Sequence, residues 1–162
     1  RAGGVENLAV CECLEDRRST ARGFGVEVVL DSREGVLEHI MDWTNGRGAD
    51  VIILACSDIT LDQRILAMLA RGGRVSVFSG TTQSQGGFDV PMSAVHYQEV
   101  QISGAYGCRG EDNRAALELI ASNLAIASRL IDNVVDLEHV EEGLNQTWSR
   151  TCLKTVMEVK CA

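Results

Sequence analysis

A chain of 162 residues, 45% of them hydrophobic, has the size of one domain or slightly more and enough apolar side chains for a sizeable core. Its 23 acidic against 15 basic residues leave a net charge of −8, which excludes a nucleic-acid-binding surface and adhesion to anionic membranes. No apolar run approaches the ~18 residues of a membrane span and no signal peptide opens the chain, so it reads as cytoplasmic.

In chain order, "LAVCEC" (8–13) reads as a buried strand and "EDRRSTARGF" (15–24) as a helix ended near Gly23 or Gly25. "EVVL" (27–30) is the next strand. "EGVLEHIMDWT" (34–44) carries Val36, Leu37, Ile40 and Met41 at helical spacing, and "NGRG" (45–48) is a turn. "DVIILAC" (50–56) is almost unbroken in its hydrophobicity, the pattern of a strand covered on both faces of a parallel sheet. "TLDQRILAMLA" (60–70) predicts an amphipathic helix, stopped at Gly72 and Gly73 in "RGGR" (71–74). "VSVF" (75–78) is a strand closed by the polar, Gly-rich "SGTTQSQGG" (79–87). "VQISGAY" (100–106) is a further strand, 111–123 a further helix, "LEHVEEGLNQTWS" (137–149) another, and "LKTVMEV" (153–159) a closing strand. This alternation predicts an α/β fold with a doubly wound, mostly parallel sheet. Right-handed crossovers gather the carboxyl ends of such strands on one edge, where ligands bind.

The six cysteines contain no Cys-x-x-Cys pair, which argues against a structural zinc site. They read as reduced thiols acting as small hydrophobes. His39, His96 and His139 each have an acid three residues on, but no second His or Cys at that reach, so no metal site is expected.

The strand ends hold the candidate chemistry. Glu12 closes the first apolar run and Arg17 follows five residues later, in the first turn of the next helix. The pair admits two readings: a solvated strand-end acid beside a helix-surface arginine, or a carboxylate that accepts the 2′- and 3′-hydroxyls of a ribose with arginine assistance. A 2′-phosphate would be repelled there, which favours NAD over its phosphorylated form. Cys13 and Cys56, small and at strand ends, are either core filling or the two walls of an adenine slot. At Ser79-Gly80-Thr81 the glycine permits close backbone approach to a ligand.

Three stretches resemble a known family: "NLAVCECLEDRRSTARGFGVEVVLDS", "TNGRGADVIILACSDITLDQRILAMLARGGRVSVFSG" and "VQISGAYGCRGEDNRAALELIAS". They are similar to the cofactor-binding part of medium-chain dehydrogenases, closest to the zinc-dependent alcohol, polyol and threonine branch. The resemblance implies a Rossmann-like fold and a cytoplasmic NAD(P)-dependent oxidoreductase. It implies Glu12 for the adenosine ribose, Arg17 as its basic helper, and Cys13 and Cys56 as adenine walls. Backbone groups around Ser79, Gly80, Thr81, Ala105 and Tyr106 would face the nicotinamide carboxamide, and Ser57 would sit in the cofactor-binding turn beside the nicotinamide. Residues 1–108 would form a partial dinucleotide-binding domain, and 109–162 the helices and strand that return to the catalytic domain. The edge strand near 100–106 would pair across a homo-oligomer. Zinc would belong to an N-terminal catalytic domain and would not be bound by this chain, and no catalytic residue is expected within it.

The chain departs from the family pattern at Leu54, where an acid is usual, and at Ser57, where glycine is usual. It holds no Gly-x-Gly-x-x-Gly turn and no strand before it. That strand would be central in the sheet, so its absence predicts unpaired ladders and a pyrophosphate without its helix N-terminus. The expectation is a fragment, or a chain that has repaired the gap by rearrangement, strand exchange or dimerisation. Three functional readings follow. The chain is the cofactor-binding portion of an NAD-dependent zinc-type alcohol or polyol dehydrogenase, inactive alone; or a non-catalytic truncated module acting as a homodimer or subunit; or a relative of the zinc-free quinone reductases.

Overall fold

The computed structural model describes residues 4–57, 61–80, 90–123 and 128–159. The chain divides into two compact units: Arg1–Val29 with Cys108–Ala162, and Leu30–Gly107.

The second unit is built on three parallel strands in the order β3 (Ala49–Leu54), β4 (Leu69–Val77), β5 (Gln101–Gly104). Ile52 is in register with Val75 and Ile102, and Leu54 with Val77 and Gly104, so each row shares one sheet face. On β3 and β4 that face carries the core. Leu54 and Val75 pack with Leu61, Leu66, Leu69 and Val100, and Ile52, Ile65, Val77, Val90 and Ala94 border them. Leu66 and Ile65 come from α3 (Gln63–Ala67) and Ala94 from α4 (Met92–Tyr97). Asp62 caps α3 by accepting the N–H groups of Arg64 and Ile65 at 2.9 and 3.2 Å.

Two expectations are corrected here. The apolar run of β3 is covered on one face only: Val51 and Ile53, alternate residues that point away from the core, are 42% and 62% exposed. The helices α3 and α4 both contribute to the opposite face. The second correction concerns "RGGR". It does not stop a helix that runs to residue 70. α3 ends at Ala67, and β4 begins at Leu69 and passes through both glycines. Leu69 and Ala70 are buried, and Ala49 donates its N–H to the Met68 carbonyl at 2.8 Å, so burial and pairing draw this segment into the sheet. The extra length becomes a bulge. Ala49 pairs with Leu69 but Val51 with Arg74. Gly72, at φ +73°, supplies the left-handed residue that the bulge needs.

In the first unit, β1 (Ala9–Glu12) leads into α1 (Glu15–Gly23). β1 and β2 (Val28–Asp31) form a separate two-stranded sheet, in which Val28 N–H reaches the Leu8 carbonyl at 3.4 Å. β1 is half-buried rather than buried, with Cys11 exposed. After α5 (Gly110–Ser122) come β6 (Asn133–Asp136), a 3₁₀ turn (Leu137–His139), α6 (Val140–Trp148) and β7 (Thr155–Glu158), which runs parallel to β6. Arg129 ties this half to α1: its Nη2 donates to the Gly23 carbonyl at 2.8 Å and its guanidinium lies 4.6 Å over the Phe24 ring. The remaining helix, α2 (Val36–Trp43), lies within the second unit and buries Ile40. Helices at 15–24, 34–44 and 111–123 lie where the periodicity places them; α4 and β6 were not foreseen.

Candidate functional site

The carboxyl end of β1 holds the densest polar arrangement. Glu12 Oε1 accepts the Leu14 N–H at 3.0 Å and the Cys13 thiol at 3.3 Å. Glu12 Oε2 faces Arg17 Nη1 at 4.0 Å, outside hydrogen-bond reach. Partial burial pushes the Glu12 carboxyl up. The hydrogen bonds from Leu14 and Cys13, with the Arg17 charge, outweigh it and hold the group below the ordinary carboxylate range. Arg17 Nε is buried with no hydrogen-bond partner. Glu12 Oε2, facing the Arg17 guanidinium from beyond hydrogen-bond reach, is an acceptor that a hydroxyl pair could use.

Sequence reasoning missed Arg18. It is the charged residue that is buried among the described residues. Its Nη1 donates to the Glu12 and Cys13 carbonyls at 2.7 and 2.9 Å, and its Nε to Glu15 Oε2 at 2.9 Å. An arginine is read as exposed by default, so only its neighbour at the Glu12-plus-five position drew notice.

In the second unit the strand ends line up as expected. Phe78 and Ser79 donate their N–H groups to the Leu54 carbonyl at 3.1 and 3.0 Å, and Ala105 donates to Val77 at 3.0 Å. Cys56 and Ser79 are half-buried; Ser57, Gly80, Ala105 and Tyr106 are exposed at this edge. A side chain at Gly80 would meet nothing within 4 Å, so the backbone there is open to an approaching group. Leu54, where an acid was the family expectation, is a core residue. Thr81 lies outside the described residues. Glu12, Cys13 and Arg17 belong to the first unit, and Cys56, Ser57, Ser79, Gly80, Ala105 and Tyr106 to the second.

Among the described residues no group of three or more His, Cys, Asp or Glu side chains is arranged to hold a metal ion. His39 Nδ1 lies 2.8 Å from the Gly35 carbonyl, and His139 pairs with Asp136, three residues before it rather than after. No helix among the described residues is long and apolar enough to cross a membrane.

Residues 1–122 match the family described as zinc-binding dehydrogenase. The chain belongs to that family. Sorbitol dehydrogenase from Bacillus subtilis is 24% identical over 160 residues, covering 97% of this chain and 44% of that protein. L-threonine 3-dehydrogenase from Caldanaerobacter subterraneus subsp. tengcongensis is 28% identical over 160 residues, with 97% of this chain and 45% of the relative covered. Alcohol dehydrogenase from Thermotoga maritima superposes with a TM-score of 0.85 at 26% identity, over 98% of this chain and 45% of that one. This zinc-binding dehydrogenase chain thus spans less than half the length of the relatives it matches, and its fold is that of the Rossmann-like cofactor-binding part of alcohol dehydrogenases. The described residues offer no zinc site, so the metal of the family's name finds no ligand set in them.

Proposed function

We propose that this chain supplies the NAD-binding part of a zinc-type dehydrogenase acting on a secondary alcohol of the polyol or amino-alcohol class. The observation that carries the reading is Glu12: an ionised carboxylate at the end of β1, oriented by the Leu14 N–H, with Arg17 Nη1 4.0 Å from its second oxygen. Two vicinal hydroxyls would donate to Glu12, and one of their oxygens would accept from Arg17. A phosphate on the same ribose would stand against the carboxylate, so NAD is preferred to its 2′-phosphorylated form. When bound, the cofactor supplies hydride acceptance at its nicotinamide ring. The chain's own share is binding and orientation. Substrate class follows from the sorbitol and threonine dehydrogenase relatives. The chain alone is expected to lack dehydrogenase activity.

The test is an NADH titration of the chain, by fluorescence or calorimetry, beside its Glu12→Ala variant. Saturable binding is expected, weakened roughly tenfold or more by the substitution, the usual effect of losing a charged hydrogen-bond acceptor. Absence of saturable binding, or equal affinity in the two proteins, would reject the reading.

A second reading is favoured by one observation. β5 is the terminal strand of its sheet and exposed along its whole length. A non-catalytic module that pairs two copies through this edge would have that feature. It predicts self-association without NADH binding, so the same titration separates the two.

A further inference from the structure

We propose that Arg18 is the positioning residue of the Glu12 carboxylate, acting through the backbone of residues 12–14. The proposal rests on the reading of Glu12 as the ribose acceptor. A guanidinium taken out of water is costly unless its N–H groups find acceptors. Arg18, its side chain 10% exposed, finds them in a particular set. Nη1 bridges the carbonyls of Glu12 and Cys13, while Nε and Nη2 lie 2.9 and 2.7 Å from Glu15 Oε2. Glu15 is itself held from two helical turns on by Arg22 Nη1 at 2.8 Å.

The two carbonyls lie where the chain leaves β1 and has not yet entered α1, with Leu14 still extended at φ −90°, ψ 122°. Carbonyls at such a junction need an acceptor's partner from elsewhere. By fixing both, Arg18 fixes the two peptide planes that follow Glu12. Those planes determine where the Leu14 N–H points, and that N–H is what orients Glu12 Oε1. A lysine ammonium would not reproduce the fork that spans two carbonyls and a carboxylate at once. An apolar side chain would fill the same space in α1 at no electrostatic cost. The arginine is therefore tied to the carbonyls it holds.

The experiment uses the full chain and four proteins: wild type, Arg18→Met, Glu12→Ala and the double variant. NADH affinity is measured for each, and Leu14 amide exchange is followed in the ligand-free state. Arg18→Met is expected to weaken NADH binding about tenfold in the wild-type background and less than about twofold in the Glu12→Ala background. Leu14 should lose exchange protection while the amides of β3 and β4 keep theirs. Equal weakening in both backgrounds, or unchanged Leu14 protection, overturns the proposal. If wild type itself binds no NADH, the functional reading falls, and Leu14 protection alone then decides the role of Arg18. If Arg18→Met does not fold, Arg18→Lys and Glu15→Gln carry the same two readouts, judged by the same outcomes.

Discussion

Glu12 keeps its charge against the burial that opposes it because its hydrogen bonds favour the ionised form. A carboxyl held below its unfolded pKa contributes stability above the ordinary carboxylate value of about 4.3, and loses that contribution as pH falls through the folded value. Unfolding of wild type and Glu12→Gln by denaturant should therefore show a wild-type advantage at pH 7 that shrinks steadily below pH about 4. A difference that stays constant through the acid range would contradict the assignment. Next to it, Arg17 and Arg18 divide two roles between adjacent positions. Consecutive residues on a helix point about 100° apart, so one guanidinium turns toward Glu12 Oε2 and the other beneath the strand end. Nothing in residue type separates them; the side of α1 that becomes buried does.

Between elements, the turn ahead of β3 depends on one atom's absence. Gly48, at φ +84°, lies so close to β4 that a Cβ would come within 2.6 Å of the Leu69 carbonyl carbon and 2.8 Å of the Ala70 nitrogen. Gly46, at a similar φ of +78°, has open space around it. Gly46→Ala should cost about 1 kcal/mol, the left-handed penalty alone. Gly48→Ala should cost about 3 kcal/mol, because backbone must move as well. Equal losses on thermal unfolding would show that contact with β4 does not matter. The same region shows what sequence makes legible. Long runs, whether unbroken and apolar as in β3 or helical in extent as in α2 and α5, could be placed to within a few residues. α4 and β6 could not, since "MSAVHY" and "NVVD" are too short to display a period. The glycines of "RGGR" have the chemistry of a helix stop, and only the pairing with Ala49 turns them into a bulge. At the candidate site Glu12 was legible because the apolar run ends on it. Arg18 was not, because its partners are backbone carbonyls, which leave no mark in residue identity.

For the molecule as a whole, a net charge of −8 opposes association of copies at long range, so any self-association needs a directional contact at short range. β5 offers one. Ala105 gives its N–H to Val77 of β4, and alternate residues of a strand point the same way. The amides of Gln101 and Ser103 therefore face β4, while those of Ile102 and Gly104 face outward at the edge. The proposed homodimer would use the outward set. Gly104 is the position at which to remove a donor without touching the fold: a Cβ there meets nothing within 4 Å, and its N–H is not needed by β4. Proline at 104 would also suit a preceding residue already in a strand. Sedimentation or light scattering of the wild-type chain should show a dimer. Gly104→Pro should weaken dimerisation roughly tenfold or more, as expected when an edge donor is deleted and a ring is placed in its way. Its melting temperature at low protein concentration should stay near that of wild type. A monomeric wild type, or a Gly104→Pro variant that dimerises as before, would assign the exposed edge some other role.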